Sequence, residues 1–599
     1  MPLLLDRRLL ITFGVAAALP LGAARAQVAP PIPAQSAADA DFDALAAAWL
    51  ESALRGSPIT ATLWGDHRFD HQLDDLTPQG WAARRDAAAG LLERLSALPA
   101  AQLSRERQVD AAILRNTLAG DVWTHDTLQA HRWDPLIHQS LAGSALYGLI
   151  ARDFAPLPER LASATARLEG FPALLGEIRA SLTPERVPQI HAQTYAGQNA
   201  GLRSLVDLLL AEDAVLDAAG RAGLRQAAER AQAAIAEHQA WIDDVLVPQA
   251  QGEWRLGADL YDAKLRFALD SDLSRDQIKA DAERALREVR GRMYALSRQI
   301  LAGDPEAPPT PETPTPDEQQ AAIAAALEQV YADRATPETL IATAQAKLDA
   351  AIAFVASHPI VTPPAEPVQL VLTPEFQRGV AVAYCDPPGP LDRDLPTFYK
   401  LSPIPESWSA EQADSFLREY NNWTLEGLTV HEGTPGHYLQ LAHSNRHPSV
   451  LRSVLWSGTF VEGWACYAQD IMVEAGHRDG HPLYELANLK FLLRVITNAI
   501  LDIGVHTEGW DEARAMHLMT HDAFQQEREA AGKWTRARVS SAQLPTYFVG
   551  WEEHWALRRE AQGRAGADFD MKAYHDRLLS FGSPPVRLAR QLMFDLPVA

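Results

Sequence analysis

The feature that most constrains this chain is helical periodicity, which runs from Asp41 almost to residue 300 with no strand-type alternation of any length. In Phe42–Leu50 the apolar positions fall three and four apart, the spacing that lays them along one stripe of a helix. The same pattern returns in Arg84–Leu98, Leu157–Leu182, Thr194–Asp217 and Ala219–Leu246. A chain of 599 residues is also too long for one hydrophobic core. The expectation is a mostly α-helical, multi-lobed protein whose first helical lobe spans 41–302.

Residues 303–317 carry six prolines among Gly, Asp, Glu and Thr. Proline lacks the amide donor and clashes with the preceding turn, so the stretch is a Pro-rich loop or linker and sets a soft lobe boundary. A second lobe, 318–599, follows, with a helix at Thr336–Ser357. Then the texture changes. Pro367–Leu372, Gly379–Tyr384 and Thr397–Leu401 are β-prone and predict a small sheet. Helices resume at Ser409, whose Gln412 stands at capping-box spacing, and continue to about Leu592.

At the N-terminus, Arg7-Arg8 precede an apolar run from Leu9 to Leu21, and Ala24-Arg25-Ala26 offers small residues at the two positions a signal peptidase reads. Residues 1–26 therefore read as a signal peptide, the paired arginines pointing to the twin-arginine route. Residues 27–40, rich in Pro, Ala and Gln, read as a flexible leader. The apolar run is shorter than the ~20 residues of a membrane span, so no stable membrane anchor is expected after cleavage. A periplasmic or secreted location follows. Acidic residues outnumber basic ones by 77 to 54, and a net charge of −23 repels phosphate backbones, which argues against nucleic acid as a partner. The chain holds two cysteines, Cys385 and Cys466, too few for a disulfide framework or a Cys-rich zinc site. A metal here would be held by His and carboxylate. Oligomeric state is not legible.

Such a set exists. In Thr429–Gln440, His431-Glu432 is followed by His437. Two neutral imidazoles bind zinc, and a carboxylate beside them takes a proton from the attacking water. The common metalloprotease helix spaces its histidines four apart. Six apart corresponds to about 240° around a regular helix, which would point the rings in different directions. Pro435 and Gly436 offer a way out: the turn can widen there and return His437 to His431's side. Glu462, in the apolar and aromatic segment Phe460–Ala468, is a candidate third ligand, because a carboxylate in such a setting needs a partner. Two His and one Glu leave a zinc position open for water, the mark of a catalytic site. Read structurally, the same residues would be a chance His-Glu pair, a core histidine and a helix N-terminal charge.

His431-Glu432-Gly433-Thr434-Pro435-Gly436-His437, with Leu439-Gln440 and then Glu462-Gly463-Trp464-Ala465 and Tyr467, resembles the bacterial domain-of-unknown-function family 885. That family is grouped with zinc peptidases whose third ligand is a glutamate. The resemblance implies a mostly helical, zinc-peptidase-like fold with its small sheet near an active-site cleft. It implies zinc as cofactor, a peptide as substrate, His431, His437 and Glu462 as metal ligands and Glu432 as general base. It also draws in Asp502–His506 and Pro545–Gly550, from which His506 and Tyr547 are candidates to stabilise an oxyanion. Arg494, Arg536 and Arg538 are candidates to hold a substrate carboxylate. Two positions depart from relatives: Tyr438 stands where a further His is common, and Cys466 where some clan members carry an Asp that orients a ligand. An orienting partner must come from elsewhere. The rival readings are a non-catalytic metal-containing binding or scaffold protein, and a hydrolase of non-peptide amides or esters.

Overall fold

The computed structural model describes residues 36–374 and 382–598. The signal peptide, residues 27–35 of the leader, and Gly379–Ala381 of the second expected strand lie outside the described residues. The last part of the leader is corrected: Ser36 accepts a hydrogen bond from the Asp39 amide and caps the helix Ala37–Gly56, in which Ala38 is buried. A side-chain cap followed by an acid in the first turn starts a helix there.

Four long helices, Pro135–Ile150, Leu157–Ser181, Gln189–Ala211 and Ala218–Trp241, enclose the main core of the first region. Leu146, Leu168, Phe171, Leu205 and Ile235 fill it. At its centre Arg167 is fully buried, donating to the carbonyls of Gln72, Ala145 and Pro58 and to Thr62 Oγ1.

The expected lobe boundary at 303–317 is also corrected. The stretch is a loop between the helices Arg275–Ile300 and Pro316–Ala332, but one core runs across it. Tyr261, Val289, Met293, Leu327, Leu493, Ile500 and Phe548 share that core. Proline ends a helix without ending a domain: Thr315 and Glu318 form a capping box that restarts the chain, and Tyr294 Oη donates to Pro311 O at 2.5 Å to hold the loop down. The first core ends instead near Ala250.

The small sheet is present. Strands β1 (Val368–Leu372), β2 (Ala383–Asp386) and β3 (Thr397–Leu401) lie in the order β1-β3-β2. β1 is parallel to β3 with Val368 opposite Thr397, and β2 is antiparallel to it with Cys385 opposite Tyr399. Every residue of β3 is buried. Arg152, from the first region, donates to the carbonyls of Asp386 and Pro396, and buried Lys400 pairs with Asp386 at 2.7 Å. Arg152 ties the sheet to the first region, and the Lys400–Asp386 pair joins β3 to β2. Arg452 clamps the regions elsewhere, its fully buried guanidinium reaching Asp110 and Glu106 at 2.6 Å each.

Candidate metal centre

The helix Asn422–Glu432 carries His431 at its last turn. Asn421 caps its start by accepting from the Trp423 and Thr424 amides. The helix then stops; it does not widen. Pro435 has no amide to donate, and the Gly436 amide reaches back to Val430 O at 3.0 Å. A Cβ on Gly436 would sit 2.1 Å from His431 O, so only glycine allows this return. Trp464 Nε1 donates to Pro435 O at 2.8 Å and pins the turn. A new helix, His437–Asn445, starts at His437. The rings of His431 and His437 thereby come to 4.7 Å between centroids, nearly perpendicular. The expected juxtaposition is met by a helix break and restart.

Glu462 lies on the helix Gly458–Glu474, which packs against Pro545–Ala565. Gly463 and Gly550 meet at the crossing: a Cβ on Gly463 would be 2.3 Å from the Gly550 backbone, so neither position admits a side chain. This close approach brings Glu462 and Tyr547 to the same cavity. Glu462 Oε2 stands 3.3 Å from His437 Nε2 and 3.7 Å from His431 Nε2, and the three candidate ligand atoms lie within 4.8 Å of one another.

That Glu462 oxygen is buried and makes no hydrogen bond. A buried carboxylate oxygen left bare between two imidazole nitrogens has the donor set and the unmet demand that a zinc ion would satisfy. Burial alone would raise the Glu462 carboxyl, but the two histidines outweigh it and hold it well below the usual carboxylate range.

His431 Nδ1 meets Gln469 Oε1 at 3.1 Å, which assigns the Nδ1 proton to that contact and frees Nε2. Gln469 is thus the partner that orients His431, two turns beyond Glu462 on the same helix face; one turn beyond, Cys466 is buried and free. Cys385 is free as well. Tyr438 points away, donating to Glu366 O.

Glu432 is buried and lines the cavity. Burial pushes its carboxyl up to about 7, with His431 opposing and Glu462 reinforcing the shift. Tyr547 stacks near His431, 6.4 Å between centroids, and its hydroxyl accepts from Arg536 Nη2 at 3.1 Å. Burial pushes that phenol up to about 12.

His506 is not brought into the cavity. Its Nε2–H is shared between Ala537 O at 2.9 Å and Ser540 O at 2.8 Å, and Asp502 accepts from Tyr261 Oη and the Ala542 amide. The Asp-x-Gly-x-His stretch is a staple tying the buried helix Pro482–Thr507 to the turn before Tyr547. Carbonyls left over at a helix end claimed this histidine. Arg538 is likewise elsewhere, over the Trp534 ring at 4.8 Å. Arg536 lines the cavity; Arg494 borders a smaller one and pairs with Glu529 at 2.8 Å.

The large cavity holds about 590 Å³ and is walled by both regions, with Thr62, Trp64 and Tyr147 from the first and β2, the ligands and Tyr547 from the second. The sequence model of a family described as bacterial protein of unknown function (DUF885) matches residues 58–593. The chain belongs to DUF885. The DUF885 match spans most of the first helical region as well as the candidate metal centre. Two solved structures share the fold over nearly their whole length. One, a candidate lipoprotein of unknown function from Shewanella oneidensis, is 32% identical with a TM-score of 0.76, covering 92% of this chain and 99% of its own. The other, a candidate lipoprotein from Colwellia psychrerythraea, is 17% identical with a TM-score of 0.74, covering 93% and 99%. No curated protein matches the chain.

Proposed function

We propose that this DUF885 protein is a zinc-dependent peptidase. The observation that carries the reading is the bare Glu462 oxygen facing His431 Nε2 and His437 Nε2, with the Glu432 carboxyl on the same cavity. A zinc ion held by His431, His437 and Glu462 would supply Lewis acidity toward a carbonyl oxygen and acidify a water. Gln469 keeps His431 in the tautomer that presents Nε2. Glu432 takes a proton from the attacking water and returns it to the leaving amine. Tyr547 Oη, steadied by Arg536, is the neutral donor for the oxyanion of the tetrahedral intermediate, the role that falls to it once His506 is tied up elsewhere.

A peptide fits the cavity better than a small amide. Among the described residues β2 is an edge of the sheet, and Ala383–Asp386 line the cavity, so an extended chain finds backbone groups to pair with. The N-terminal signal, together with structural relatives described as candidate lipoproteins, supports work outside the cytoplasm.

Glu432→Gln is the test. The variant is expected to keep about one zinc per chain while cleavage of a mixed peptide pool falls by about 10²–10⁴-fold. Full activity with zinc bound would sink the general-base role. Zinc without cleavage of any peptide by the unaltered protein would favour the scaffold or non-peptide readings.

A further inference from the structure

A second cavity of about 70 Å³ adjoins the large one and shares Ala383, His431, Glu432, Arg536 and Tyr547 with it. Its own lining includes Arg494, Asn498 and Lys533. The charges around it do not balance. Arg494 is matched by Glu529, and Lys490 nearby by Glu419 at 2.7 Å. Lys533 is only 4% exposed, and among the described residues its ammonium makes no ion pair, although Glu529 and Glu419 act on it from farther away. Arg536 donates only to neutral oxygens, Gln543 Oε1 and Tyr547 Oη. A buried cation without a partner is costly, and a protein keeps one where a ligand supplies the missing charge.

The size of the cavity narrows the ligand. The space is far smaller than the large cavity beside it and has room for a carboxylate. Amid apolar walls such as Leu428 and Phe491, Arg494, Arg536 and Lys533 are planar or point-charge donors, the groups that grip carboxylates, and Glu432 lies at the side shared with the large cavity.

We propose that this cavity is a carboxylate subsite in which Lys533 and Arg536 hold the end of a substrate whose neighbouring amide lies in the large cavity. The inference rests on the peptidase reading and deepens it: the enzyme works from the C-terminal end of peptides. Burial, with Arg494 and Arg536 adding to it, pushes the Lys533 ammonium well below the ordinary lysine range, and an arriving carboxylate restores its charge. The same chemistry could come from an Asp or Glu side chain, so the test separates the two sources.

Calorimetric titration of the purified protein uses three probes: N-acetylleucine, N-acetylleucinamide, and N-acetylglutamic acid α-amide, whose carboxylate is on the side chain. N-acetylleucine is expected to bind at least about tenfold tighter than its amide. Lys533→Met is expected to abolish that preference, and Lys533→Arg to retain most of it. Equal binding of acid and amide would overturn the proposal in the unaltered protein, whether or not the variants fold. Tight binding of the side-chain acid alone would assign the subsite to acidic residues and overturn the C-terminal reading. In a parallel cleavage assay, peptides with free C-termini are expected to outpace their amides. Carboxylate binding without any cleavage would sink the peptidase reading and leave the subsite standing; cleavage indifferent to the C-terminus, with no carboxylate preference in binding, would sink the subsite alone.

Discussion

Arg167 in the first helical region and Lys533 in the second are both buried cations. Arg167 meets four oxygens, three carbonyls and the Thr62 hydroxyl, so its donors are satisfied by the fold itself. Lys533 makes no ion pair among the described residues, and Glu462 Oε2 and His437 Nδ1 are buried without hydrogen bonds. The first region also leaves buried polar atoms unmet, Gln139 Oε1 and His238 Nδ1 among them; what differs at these two cations is whether the protein answers the charge. Where it does, the groups serve stability. Where it leaves a charge open beside a cavity, the charge supports the proposal that a ligand answers it.

The comparison makes predictions that can break it. The largest effect should come from a satisfied cation. Arg452→Met leaves Asp110 buried beside a lost partner, and urea unfolding should show a loss of about 3–5 kcal/mol. A loss under about 1 kcal/mol would mean that this clamp between the regions is not stabilising.

Next come His554 and His575, buried in the second region with partners for their N–H groups but none for a charge. Burial pushes both down to about 4. The unfolded chain titrates near 6.5, so between those values it binds more protons than the native state. Stability is therefore fully present above about pH 6.5 and is lost as pH falls toward 4, by up to about 3 kcal/mol per histidine. Denaturant midpoints measured from pH 7.5 to 4.5 check this, and the His554→Gln and His575→Gln variants should flatten the slope. An unchanged slope would assign the acid sensitivity to other groups.

The smallest effect has the opposite sign. Lys533→Met removes an unanswered cation, so it should leave stability unchanged or raise it by about 1 kcal/mol while carboxylate binding falls. Destabilisation as large as that of Arg452→Met would erase the distinction between the two regions.

Much of the helical architecture was legible because it is local. Phe42, Leu45 and Trp49 show their spacing to anyone reading three and four ahead, and all three are buried. The capping box at Ser409 and Gln412 is present in the structure, and β1 and β3 fall within a residue of where their composition put them. The boundary at 303–317 misled because proline reports on the chain at its own position, whereas a core is shared by Tyr261 and Leu493, more than two hundred residues apart. His506 misled for a related reason. A histidine in a motif looks available until the carbonyls of Ala537 and Ser540 are placed against it.

By itself, then, the sequence determined the helices, the strand composition of the sheet and the residue types of a His-Glu-His-Glu site, because propensity, capping and motif chemistry depend on neighbours along the chain. Only the tertiary structure decided that the helix breaks and restarts at Gly436, that Gln469 orients His431, and that among the described residues Lys533 and Arg536 stand without ion pairs beside the site. Those facts depend on which distant groups share a cavity, and burial and pairing are settled by packing across hundreds of residues.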